Sequence, residues 1–101
     1  MDTLTRIKRC AWRDQLRFTL KAREELDADD LSVEDIRESL VNASRIYKSI
    51  RSTNPLTRRR ELLHIIISEN LSGVLIYTKG KLSQSGDELE FYVLVSSKRA
   101  Q

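Results

Sequence analysis

The chain has 101 residues and a formal net charge of +3, with 40% hydrophobic residues, 33% charged residues, three glycines and one proline. That balance fills a core and is unlike low-complexity disorder, so one domain spanning 1–101 is expected. The longest apolar run, 62–67, is interrupted by His64 and falls far short of the roughly 20 residues a membrane-spanning helix needs, which excludes a transmembrane helix, and no membrane partner is expected.

In chain order, Leu4, Ile7 and Ala11 recur at helical spacing among Arg6, Lys8, Arg9 and Arg13, predicting a short amphipathic helix with a basic outer face. Residues 15–19 alternate around Leu16, Arg17 and Phe18 and fit either a brief strand or an extended lead into the next helix. Residues 21–26 are good helix formers that run into the turn-favouring Asp27-Ala28-Asp29-Asp30. Ser32 with Asp35 three positions on reads as a capping box, and Val33, Ile36, Leu40 and Val41 then place one apolar stripe on a helix ending near Asn42.

From Arg45 the period becomes alternating. Ile46, Lys48 and Ile50 are expected on one side of a strand that ends before Asn54-Pro55. Residues 62–68 have the isoleucine-rich composition of a central strand covered on both faces. A turn at Asn70-Leu71-Ser72-Gly73 leads to a strand over 74–78, then a polar loop over 81–87, then a last strand in which Leu89, Phe91, Val93 and Val95 alternate with Glu90, Tyr92, Leu94 and Ser96. Helices grouped before a meander imply an α+β fold, with the short N-terminal helices on one face of an antiparallel sheet of about four strands. The opposite face is then free to bind something.

Charge is segregated along the chain. Residues 1–23 carry seven bases against Asp2 and Asp14, residues 24–38 carry eight acids against Arg37, and residues 39–101 carry ten bases against five acids. Two basic segments around an acidic one suit a polyanion such as RNA on one face and a basic protein partner elsewhere. One histidine and one cysteine give no zinc cluster, and glycines at 73, 80 and 86 form no phosphate-binding loop, so no metal or cofactor is expected. The lone Cys10 cannot form an internal disulfide, and Met1-Asp2-Thr3-Leu4-Thr5 lacks the pattern of a secretory signal, so a reducing, cytoplasmic setting is expected. Arg58, Arg59 and Arg60 suit phosphate contacts or, equally, a solvated loop that blunts a sheet edge. Tyr47, Tyr77 and Tyr92 fall on different predicted strands, where they suit base stacking or ordinary sheet packing. His64 reads as a buried structural residue or a proton-transfer group, and Lys48 as a snorkelling side chain or part of a cleft.

The stretches Leu4-Thr5-Arg6-Ile7-Lys8, Leu16-Arg17-Phe18-Thr19 with Ala22, Ile46-Tyr47-Lys48-Ser49-Ile50 and Val93-Leu94-Val95-Ser96-Ser97-Lys98 resemble the RelE/barnase-like superfamily of small ribonuclease toxins, most closely the MqsR type and related uncharacterised bacterial domains. Related domains often carry a histidine where this chain has Lys21, a departure from their pattern. The resemblance implies a RelE-like fold and metal-independent cleavage of messenger RNA, free or ribosome-bound, by a toxin paired with a cognate antitoxin protein. It implies Lys48, Tyr77 and Lys98 as catalytic residues, joined by His64 near the place where the MqsR type has glutamine, and the expected RNA contacts are Arg58, Arg59, Arg60, Tyr47 and Arg99. Proton transfer falls to His64 or Lys48, orientation of a base to Tyr77, and phosphate stabilisation to Lys98 with Arg60. The alternatives are a non-catalytic RNA- or ribosome-binding module on the same fold, and a protein-interaction domain that docks a basic partner on residues 24–38.

Overall fold

A computed structural model describes residues 1–86 and 89–100 of the chain. Three helices come first. In α1 (Thr3–Trp12), Asp2 accepts the Thr5 N–H as N-cap, and Ile7, Cys10 and Ala11 are buried. In α2 (Leu20–Ala28), Thr19 caps the N-terminus and Ala22 and Leu26 face inward. In α3 (Val33–Asn42), the capping box forms as the sequence predicts: Ser32 Oγ accepts from the Asp35 N–H while Asp35 accepts from the Ser32 N–H. That reciprocal bonding holds the Asp35 carboxyl below its ordinary range. Lys8 Nζ donates to the Ala43 carbonyl at 2.6 Å, tying α1 to the end of α3.

Among the described residues the strands are β1 (Leu16–Phe18), β2 (Lys48–Thr53), β3 (Arg60–Glu69), β4 (Leu75–Ser85) and β5 (Leu89–Arg99), in one sheet of order β1-β5-β4-β3-β2. The class is α+β as expected, with five strands in place of about four. The difference is β1, which pairs in parallel with β5 through Leu16↔Tyr92 and Phe18↔Leu94 and makes the sheet mixed. The expected polar loop over 81–87 is instead largely strand. β4 continues through Gly80 to Ser85, because Lys79, Lys81 and Ser83 are the polar half of an alternation whose other half, Thr78, Gly80 and Leu82, faces the helices. Gly86 makes the turn, and Asp87 lies outside the described residues.

The helices cover one face only, where Ile66, Ile76, Tyr92 and Leu94 pack with Ile7, Ala22, Leu26, Ile36 and Leu40. The expectation that β3 is covered on both faces fails accordingly: Ile65 is half-buried and Ile67 exposed. Ile46 packs on the helix-side core ahead of β2, whereas Lys48 and Ile50 sit on the opposite face, so the three do not share a side. None of the described helices is long and apolar enough to cross a membrane.

At the centre of the sheet the Tyr92 ring crosses Gly80, where an added Cβ would lie 2.7 Å from two ring carbons and 2.8 Å from the Val93 carbonyl oxygen. Gly80→Ala is therefore expected to destabilise the fold by about 1–3 kcal/mol, read as a lowered urea midpoint. Ser39→Ala should act in the opposite direction. The Ser39 hydroxyl is buried in α3 without a hydrogen-bond partner among the described residues, and its removal is expected to raise stability by roughly 1 kcal/mol in the same assay.

Candidate nucleic-acid interface

The strand register assigns the residues of the helix-free face. Lys48 lies opposite Ile65, which lies opposite Lys79; Ile67 lies opposite Tyr77, which lies opposite Lys98; Lys81 lies opposite Val93, which lies opposite Arg17. Five cations therefore share this surface with the aromatic rings of Tyr77 and Phe91 and with the aliphatic side chains of β3. Among the described residues the acids on the same face are Glu61, paired with Lys81, and Glu69. The Arg17 guanidinium stands 4.0 Å from the Phe91 ring centroid, and the Lys98 ammonium 5.4 Å from that of Tyr77.

At the far end of this face, Tyr77, Lys98, Ile67 and Ala100 meet Asp29 and Arg99, the latter opposite the buried Ile76 and so entering from the helix side, in a cleft of about 390 Å³. Arg99 is positioned from α2: its backbone N–H donates to Asp29 Oδ2 at 2.7 Å and its Nε to the Asp29 carbonyl at 3.2 Å. One residue pair earlier, Glu25 Oε1 accepts from the Ser97 N–H and from Ser96 Oγ, bonds that hold its carboxyl below the ordinary range against the opposing effect of burial. Part of the acidic segment thus satisfies the β5 edge beyond the end of β1.

The remaining residues singled out in the sequence are dispersed. Lys48 is exposed on the edge strand, two strands and about 10 Å from Lys79. Tyr47 is exposed just ahead of β2, with the Arg45 guanidinium 5.7 Å from its ring centroid. Arg58 sits in the β2–β3 connection with a left-handed φ of 63°. Arg59 and Arg60 lie at the start of β3, the opposite end of the sheet from Tyr77, so Arg60 cannot share a phosphate with Lys98.

His64 is on the other face altogether. It is buried toward the helices, with Nδ1 2.8 Å from Ser49 Oγ, and does not meet Lys48, Tyr77 or Lys98. Sequence reasoning missed Arg17, Lys79, Lys81 and Phe91. The signal for the lysines was the two-residue spacing Tyr77, Lys79, Lys81, hidden by ending the strand at Thr78 and reading residues 81–87 as a polar loop. Among the described residues no group of three His, Cys, Asp or Glu side chains is placed to hold a metal ion. No family model, no curated protein and no solved structure matches the chain.

Burial, then the positive charge of Arg6, lowers the His64 pKa from its ordinary value of 6.5, so the ring is neutral at pH 7. The unfolded chain then binds a proton more readily than the folded one, and stability from His64 falls as pH drops through 6.5 toward the lower folded value. The wild type should lose stability between pH 7.5 and pH 5.5 more steeply than His64→Gln, compared by urea unfolding at each pH, and equal slopes would contradict a buried neutral ring.

Proposed function

We propose that the chain is an RNA-binding protein that holds single-stranded RNA on the helix-free sheet face. The observation that carries this reading is the convergence of Tyr77, Lys98 and Arg99 at one cleft, at the end of a surface that also presents Lys79, Lys48, Arg17 and Phe91. An aromatic ring supplies a stacking platform that accepts any base, and the surrounding cations supply phosphate contacts. Strands rather than loops display these groups, so their spacing is preset and little ordering cost falls on binding.

Four phosphate contacts, by Lys48, Lys79, Lys98 and Arg99, would give a log–log salt slope of about −3 for a single strand. Fluorescence anisotropy with a labelled single-stranded RNA should show that slope. Tyr77→Ala should weaken binding by about 1–3 kcal/mol, and Lys98→Ala should reduce the slope by about 0.7. A salt-independent affinity, or one indifferent to both substitutions, would contradict the reading.

A second reading is favoured by the same convergence together with the resemblance to MqsR-type toxins: the surface cleaves the RNA it binds, as the metal-independent endoribonuclease of a toxin–antitoxin pair. In that chemistry the ribose 2′-oxygen loses its proton to a base and attacks the adjacent phosphorus. The 5′-oxygen leaves with a proton from an acid, and a 2′,3′-cyclic phosphate remains. Lys98 and Arg99 would stabilise the added negative charge, and proton transfer would fall to Tyr77 or a neighbouring lysine, since His64 is on the other face. Incubation of a long labelled RNA with the protein in EDTA separates the readings: cyclic-phosphate ends formed by the wild type and not by Lys98→Ala establish cleavage, and retention of intact RNA leaves binding alone.

A further inference from the structure

A second cleft, of about 400 Å³, lies at the opposite end of the molecule, where the first turn of α1 meets the start of β3 and the later part of β4. Four cations line it: Arg6 from α1, Arg59 and Arg60 from the start of β3, and Lys81 from β4, with Thr3 and His64 beside them. Among the described residues its one lining carboxylate is Glu61, which is already engaged by Lys81 and by Asn54 Nδ2. Arg6 is fixed in place by its bidentate contact with Glu90. Arg59 and Arg60, by contrast, form no ion pair among the described residues and are exposed. Two anchored cations and two unengaged guanidinia thus face one concave space, beside the apolar side chains of Leu62 and Leu82.

We propose that this cleft binds a phosphate monoester, with Arg59 and Arg60 gripping the terminal oxygens of the dianion. A guanidinium presents two parallel N–H donors matched to two phosphate oxygens, and a monoester offers three such oxygens where the internal diester of an RNA strand offers two. His64 adds a neutral contact: Ser49 occupies Nδ1, leaving Nε2 for the ligand. Thr3 Oγ1 can donate from the first turn of α1. The apolar wall formed by Leu62 and Leu82 suits the sugar or base attached to the phosphate, so the ligand class is a 5′-phosphorylated nucleotide, either free or at the end of an RNA. The site shares the Lys81–Glu61 pair and Ser83 with the near end of the helix-free face but uses none of Tyr77, Lys98 or Arg99, so it stands independently of how their cleft functions.

The test is a titration of the 15N-labelled full chain with adenosine 5′-monophosphate, adenosine, and two short RNAs of one sequence bearing a 5′-phosphate or a 5′-hydroxyl. Adenosine 5′-monophosphate should shift the amides of Arg6, Arg60 and His64 saturably, while adenosine does not. Arg59→Gln with Arg60→Gln should weaken binding by about tenfold or more with the rest of the spectrum unchanged, and Arg60→Gln alone by a smaller factor. Preference for the 5′-phosphorylated RNA over the free nucleotide identifies an RNA end as the source, and the reverse identifies a mononucleotide. The proposal is overturned if adenosine binds as well as its monophosphate, if the arginine variants bind unchanged, or if the monophosphate shifts only residues around Tyr77 and Lys98.

Discussion

One extra residue in β5 determines what the helix-free face presents. On the β1 side of the irregularity Tyr92 and Leu94 lie opposite Leu82 and Gly80. Beyond it, Ser97 and Lys98 lie opposite Thr78 and Tyr77, with Val95 left over. Uninterrupted alternation from Tyr92 would send Lys98 toward the helices. The bulge reverses the phase, turning Ser97 inward, where its hydroxyl donates to the Ala22 carbonyl at 2.8 Å, and Lys98 outward over Tyr77. Gly80 is the other half of this arrangement. Lacking a Cβ, it lets the Tyr92 ring cross β4, with the Tyr92 hydroxyl donating to the His64 carbonyl at 3.4 Å, and the buried phenol is pushed well above its ordinary pKa.

The charge segregation along the chain acquires a physical division of labour from the same geometry. β1 is three residues long and leaves the rest of the β5 edge without a strand partner. α2 runs beside that edge, and Glu25 and Asp29 accept the Ser97 and Arg99 N–H groups that a longer strand would have bonded. The acidic segment is therefore partly structural. Its carboxylates sit at the edge and on the helices, while cations collect on the helix-free face, so anions approaching that surface meet little opposing charge.

The helical half of the fold was legible because its signals are local. The Ser32–Asp35 capping box and the stripe Val33, Ile36, Leu40 place α3 at its observed bounds, since both depend on spacings within four residues. The sheet was less legible because its decisive features are non-local. Gly80 looks like a loop signal until the Tyr92 ring is placed against it, and the phase of Lys98 cannot be read without the bulge. β1 is too short to declare a parallel partnership with a strand more than seventy residues away. The same division runs through the site. Tyr77, Lys98 and Arg99 were singled out and come together, whereas His64, equally prominent in sequence, is turned to the other face by a one-residue difference in strand phase from Leu63 and Ile65.

The central claim is that the helix-free face is a binding surface for single-stranded RNA, and amide shift mapping addresses it most directly. A short unphosphorylated single-stranded RNA titrated into 15N-labelled protein in EDTA should perturb Tyr77, Lys79, Phe91 and Lys98 together, with the helices unaffected. Saturable shifts confined to α1, α2 or α3, or no shift at low ionic strength, would contradict the claim.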